Sequence, residues 1–159
     1  MIRPAIALRP VLETDLPHFF DHARDEEAIR TAMPAGDTGS WETFSKKWRR
    51  IRSSEAFFCR SVVQGDDLIG YLAQFEQMGV PSVSYWFGRQ FWGRGLARQA
   101  LKLFISEVDV RPLYARVASD NHASLRVLAL NGFNLIDTGT YFSAPHGREV
   151  SEIVLRLDS

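Results

Sequence analysis

The sequence predicts a mixed α/β domain, with a mostly antiparallel central sheet flanked by helices. Three observations carry that expectation. A run of strand-like segments, "AFFCRSVV", "DLIGYLAQFEQ" and "SVSYWFG", occupies the middle of the chain with only short turns between them. Two amphipathic helical segments follow, and the first stands between strands as a crossover would. Two further strand-like segments, "NLIDTGTYF" and "EVSEIVLRL", close the chain. No repeat, low-complexity tract or break in composition divides the sequence, so residues 1–159 read as one domain.

In order, "AIALRPVL" reads as a first strand closed by Pro10. Thr14 or Asp15 is placed to cap the next helix, with Pro17 in its first turn, and the helical pattern runs through "PHFFDHARDEEAIRTA". "MPAGDTG" is a loop. Ser40 caps a second helix carrying Trp41, Phe44, Trp48 and Ile51 at helical spacing. The middle strands follow, the first two joined by the turn "QGD". Ala97, Leu101, Phe104 and Val108 then repeat every three or four residues, the mark of a helix with one apolar face. After Pro112, "LYARVAS" is a strand. "NHASLRVLALNGF" is a helix with Leu125, Leu128 and Leu130 apolar, ending in a left-handed cap at Asn131-Gly132.

The chain of 159 residues carries 19 basic and 19 acidic side chains, a balance that suits no general nucleic-acid binder. Its single cysteine, Cys59, excludes an internal disulfide and lies in an apolar run, as a buried inert thiol would. Arg3 and Arg9 interrupt the apolar stretch near the start, and no run approaches the ~18 apolar residues of a membrane span. A cytoplasmic protein with no membrane partner is expected. His18 and His22 lie four apart near Asp21 and Asp25, which reads as a polar helix face rather than a metal site.

The stretch "GRQFWGRGLARQA", Gly88 to Ala100, carries the chemistry. It holds Gly88, Gly93 and Gly95 among Arg89, Arg94 and Arg98. A P-loop needs Lys then Ser or Thr after its last glycine, but Arg94 and Gly95 follow Gly93 here. A dinucleotide fingerprint needs a third glycine where Arg98 stands. What remains is a strand, a glycine turn and a helix start. Successive N–H groups in such a turn form an anion nest, and the helix dipole favours negative charge at the same point.

Gln90-Phe-Trp-Gly93-Arg-Gly95-Leu96-Ala97 resembles the Q/R-x-x-G-x-G/A motif of the GNAT superfamily of N-acetyltransferases. The resemblance extends over nearly the whole chain, including "DLIGYLAQF", and points to the RimJ/RimL-like branch through "LRPVLETDLPHFF" and "LYARVASDNHASLRVLALNGF". It implies a splayed pair of central strands, "SVSYWFG" and "LYARVAS", with the pantetheine of acetyl-CoA lying between them. It places the coenzyme on Trp86, Phe87, Gly88, Gln90, Gly93, Arg94, Gly95, Leu96, Ala97, Arg98, Asn121 and Ser124. It further implies direct acetyl transfer to a primary amine, either a protein N-terminus or a small molecule, by a monomer or homodimer and without a metal.

Three roles follow from that chemistry. Backbone N–H near Phe87 is the candidate oxyanion donor. Many relatives carry a tyrosine seven residues after the Asn as donor to the thiolate; here that position is Leu128, and Ser124 inherits the role. Glu76, ending "YLAQFE", is the candidate base, directly or through water, with Tyr85 and Tyr141 behind it. The competing class is a non-catalytic coenzyme A-binding or regulatory module of the same fold.

Overall fold

In the computed structural model, residues 4–25, 39–143 and 147–159 are described. The first strand, β1, covers Ile6–Arg9 and stops before Pro10, which has no N–H to donate. A 3-10 turn at Glu13–Asp15 leads into α1, Leu16–Ala23, with Pro17 in its first turn. The expected cap at Asp15 takes another form. Its carboxylate, in a residue only 3% exposed, makes no side-chain cap to α1. It accepts bonds from Arg9 at 2.6 and 2.8 Å, from the Leu12 N–H at 2.8 Å and from the Ser61 hydroxyl at 2.7 Å. A buried charge persists only when so compensated, and this one ties β1 to the start of α1. The sequence pattern extended this helix through residue 32, but α1 ends at Ala23, with Arg24 as its cap; residues 26–38 lie outside the described residues.

The second helix, α2, covers Trp41–Ser53 and begins as expected, with the Ser40 hydroxyl accepting the Thr43 N–H at 3.2 Å. Trp48 of α2 packs with Leu16 and Phe19 of α1 in one apolar cluster.

Seven strands form one sheet in the order β1-β2-β3-β4-β5-β7-β6. These are β2 Phe58–Gln64, β3 Asp67–Gln77, β4 Val80–Phe87, β5 Leu113–Ala118, β6 Asn134–Ser143 and β7 Arg148–Leu157. Every pair is antiparallel except β4 with β5. That parallel pair needs a crossover, supplied by α3, Leu96–Glu107. The remaining helix, α4, covers His122–Leu130 and ends at Gly132, whose φ of 91° suits glycine. Of its three apolar positions only Leu128 is fully buried; Leu130 is 45% exposed.

Alternation along the strands divides the core. Leu72, Val83 and Phe87 face α3 and α4, where Leu101, Phe104 and Leu128 fill the main cluster. Tyr71, the neighbour of Leu72, faces the other way and meets Phe19 and Trp48, with ring centroids 4.9 and 4.7 Å apart. The sheet therefore carries α3 and α4 on one face and α1 and α2 on the other.

Candidate active site

Strands β4 and β5 are joined at one register position, Ser82 opposite Tyr114. Beyond it, toward Phe87 and Ala118, no ladder connects them, so the sheet opens as a V. The backbone polarity of this opening follows from the β3 side. Gly88 donates its N–H to the Ile69 carbonyl at 3.0 Å. Strand N–H groups alternate in direction, so the Phe87 N–H points away from β3 toward the opening. The Phe87 carbonyl accepts the Trp92 indole N–H at 3.0 Å. Its ring is buried beside Tyr85, with centroids 5.7 Å apart. Phe87 therefore offers the site one group, its amide hydrogen. Gly70, opposite Phe87, is required by crowding: a Cβ there would collide with the Trp86 carbonyl and approach the Phe87 ring to 2.6 Å.

The glycine loop runs from the wide end of the V into α3. Gly93 and Gly95 have φ of 77° and 73°, and Gly95 is the N-cap of α3. Among the described residues, a Cβ at Gly93 would meet nothing within 4 Å, and one at Gly95 only the Gln99 side chain at 4.0 Å. Both glycines thus serve backbone conformation while leaving the space before the helix open. The first intrahelical bond runs from the Gln99 N–H to the Gly95 carbonyl at 3.2 Å. The N–H groups of Leu96, Ala97 and Arg98 consequently have no acceptor within the helix. Leu96 is buried and Ala97 packs on the core, so each can offer a ligand its amide alone. Arg94 folds back, donating to the Gln90 carbonyl at 3.1 Å with its guanidinium 6.0 Å from the Phe91 ring centre. Gln90 and Arg98 are exposed on the loop and the first turn.

Across the V stands the start of α4. Asn121 is its N-cap, its side-chain oxygen accepting the Ser124 N–H at 3.3 Å. The Ser124 hydroxyl lies 2.7 Å from the Tyr85 phenol of β4. This bond joins the two walls of the opening. Burial pushes the Tyr85 phenol up to about 12, partly offset by its bond to Ser124, so it keeps its proton at neutral pH. In the sequence Tyr85 stands only as a candidate base behind Glu76; its contact with Ser124 joins residues 39 apart and leaves no local signal. Leu128, at the position where the resemblance implies a tyrosine in many relatives, is fully buried in the core.

Glu76 does not join this group. It is exposed and stands opposite Pro81, six positions along β3 from Gly70, the partner of Phe87. At about 3.4 Å per residue that is roughly 20 Å. The reason is strand direction: β3 runs antiparallel to β4, so its last residues lie beside the first residues of β4, at the closed end of the V.

A different titratable group occupies the wide end. His22, on the last turn of α1, lies against Gly88 and meets the Phe91 ring edge-on, with centroids 6.3 Å apart. Among the described residues, its buried Nδ1 has no hydrogen-bond partner, and neither has the Trp86 Nε1. Burial lowers the imidazole below its ordinary range and the charge of His18 adds to that, while Asp21 acts in the opposite sense. Cys59 lies away on β2, its thiol pushed up to about 11 by burial, too high for a nucleophile at neutral pH. Among the described residues no cluster of three His, Cys, Asp or Glu is placed to hold a metal, and no helix is long and apolar enough to cross a membrane.

Residues 6–134 match the family model described as the acetyltransferase (GNAT) domain. No functionally curated protein matches the chain in sequence. Among solved structures, the ribosomal-protein-alanine N-acetyltransferase of Brucella melitensis superposes with a TM-score of 0.81 at 18% identity, over 96% of this chain and 99% of that one. The spermidine N-acetyltransferase of Vibrio cholerae, in complex with CoA and spermine, gives 0.80 at 15%, over 95% of each. RimJ of Mycobacterium smegmatis, in complex with CoA-disulfide, gives 0.79 at 18%, over 98% of this chain and 83% of that one. At these identities the likeness is one of fold, and it includes the branch that the sequence resembles.

Proposed function

The chain belongs to the GNAT acetyltransferase family, and from that premise we propose that it is an acetyl-CoA-dependent N-acetyltransferase acting on a primary amine. One observation carries the reading: an anion nest with open space before it leads directly into a splayed strand pair lined by an outward amide and a hydroxyl. The nest fits a pyrophosphate, which the free N–H groups of Leu96, Ala97 and Arg98 and the helix dipole favour. Arg94 and Arg98 are within the same loop and first turn to add charge. The V fits an extended pantetheine lying beside Trp86, Phe87 and Gly88, with Asn121 and Ser124 on the opposite wall.

Acetyl-CoA supplies an activated acyl group at that point. The protein's residues do the rest. The Phe87 N–H stabilises negative charge on the carbonyl oxygen as the amine adds. Ser124 donates to the departing sulfur. The 2.7 Å contact between the Tyr85 and Ser124 hydroxyls admits either as donor; with the protonated Tyr85 donating, the Ser124 hydrogen is free for that sulfur. Charge-assisted bonds of this kind are worth about 1.5–3 kcal/mol.

The acceptor is proposed by class, a protein N-terminus or a small amine. The names of the Brucella and Vibrio proteins include one of each. The whole chain acts as one cytoplasmic domain, alone or as a homodimer. Release of free thiol from acetyl-CoA in the presence of a panel of amines tests the reading. Amine-dependent release supports an enzyme. Coenzyme binding without release from any amine leaves the non-catalytic module.

A further inference from the structure

The wide end of the V has a second face. Trp86 and Gly88 lie on the same side of β4 by alternation. Trp86 pairs with Tyr71, whose ring packs on Phe19 of α1. This is the face opposite α3 and the face from which an acceptor would approach a thioester held in the V. His22 follows Phe19 by three residues, so it lies on the same side of α1.

The contact between His22 and Gly88 is built into the sequence. Gly88 has φ of −61°, a value open to any residue, so its conformation does not require glycine. Space does. A Cβ at position 88 would lie 2.8 Å from His22 Nε2, 2.9 Å from His22 Cδ2 and 3.0 Å from Gln90 Oε1. Real Cβ contacts are not that short, so the missing side chain is what lets the imidazole lie against the strand end. The buried nitrogens of His22 and Trp86, unpartnered among the described residues, add polar capacity to this face.

We infer that His22 is the general base of the reaction, taking the proton of the acceptor amine on Nε2. The inference rests on the acetyltransferase reading above. As the amine nitrogen bonds to the acyl carbon, its proton passes to Nε2. The carbon–sulfur bond then breaks, the sulfur receives a proton from solvent through the Ser124 side, and the imidazolium gives its proton to water. Among the described residues, the titratable groups around the ring are His18 and Asp21 on α1, Asp25 just beyond its end, Arg89 on the loop and Tyr71 on β3. Arg89 is engaged with Asp25 at 3.1 Å, and burial raises the Tyr71 phenol so that it stays neutral. Burial and His18 keep the ring uncharged at neutral pH, with a lone pair available. Among the described residues, Nδ1 has no acceptor to steady an imidazolium.

The test uses His22→Asn and His22→Gln in the full chain, with acetyl-CoA and two acceptors, spermine and a short peptide with a free N-terminal alanine. General-base loss should lower kcat about 10²–10⁴-fold. Coenzyme A affinity by calorimetry should stay at the wild-type value, and the acidic limb of the kcat/KM profile should vanish. In the unmodified protein, nitrogen NMR should show a neutral His22 ring at pH 7, titrating below the ordinary value of about 6.5. Wild-type kcat in folded variants overturns the inference. So does a variant that binds coenzyme A more weakly but turns over normally when saturated, since His22 then only positions the coenzyme. A charged ring at pH 7 also overturns it. A wild-type protein that releases no thiol with any amine fails at the acetyltransferase reading itself, and the base falls with it.

Discussion

Ser124→Ala removes one wall of the bond that spans the opening. The native bond is short, 2.7 Å, and its partner phenol is buried. In the Ala variant the Tyr85 hydroxyl keeps, among the described residues, the backbone carbonyl of position 124, at 3.4 Å. A hydrogen bond to a sulfur that is becoming charged is worth about 1.5–3 kcal/mol. Each ~1.4 kcal/mol is a tenfold change in rate, so kcat should fall by roughly one to two powers of ten. The pyrophosphate nest is untouched, so coenzyme A affinity should stay close to the wild-type value. Tyr85→Phe keeps the Ser124 hydroxyl and should cost less, while the double variant should be no slower than Ser124→Ala, because the phenol acts through the serine. Single-turnover acetyl transfer at saturating coenzyme, read with calorimetry on each variant, separates these terms. Unchanged kcat with weakened coenzyme binding in Ser124→Ala would refute the donor role. Additive losses in the double variant would refute the coupling.

Three further outcomes follow from the same geometry. Gly95→Glu puts a carboxylate before the free N–H groups and an L side chain at φ 73°; the left-handed conformation costs about 1–2 kcal/mol, so circular dichroism should show a fold while calorimetry shows coenzyme A binding lost. Glu76→Gln should leave kcat within about twofold across neutral pH, well short of the ~10²-fold or greater loss of a general base; a loss of that size would return Glu76 to the mechanism. Asp15→Asn should destabilise the protein at neutral pH by about 1–3 kcal/mol through its weakened bonds to Arg9, Leu12 and Ser61. Burial opposes ionisation of Asp15, but those three donors outweigh it and lower its pKa. Its stabilisation is thus complete above the unfolded carboxylate value of about 3.9 and is lost as pH falls through the lower folded value. Chemical denaturation from pH 7 downward should show a smaller acid-induced loss in the variant.

What was legible in the sequence was local. Ser40 as a cap, the turn between β2 and β3 and the glycine loop before α3 each depend on residues within a few positions of one another. What was not legible depends on how distant segments meet. Glu76 is the penultimate residue of β3, a strand that was read correctly, but antiparallel pairing sends that end to the closed side of the V. Tyr85 meets Ser124 only because α4 starts across the opening. His22 and Gly88 are brought together by the seating of α1 on β3 and β4, and the glycine at 88 appeared in sequence as one more member of a phosphate loop. Asp15 looked like a cap because its position was right; its real partners, Arg9 and Ser61, are set by tertiary packing.

The central claim is that the nest, the Phe87 amide and the Ser124 hydroxyl act together on an acyl thioester. Mass spectrometry of products from acetyl-CoA with spermine and with an alanine-initiated peptide, matched against thiol release, tests it most directly. The account predicts an N-acetylated product formed one-for-one with free coenzyme A by the wild type, and none by Gly95→Glu. Tight coenzyme binding with neither acetylated amine nor amine-dependent thiol would contradict it.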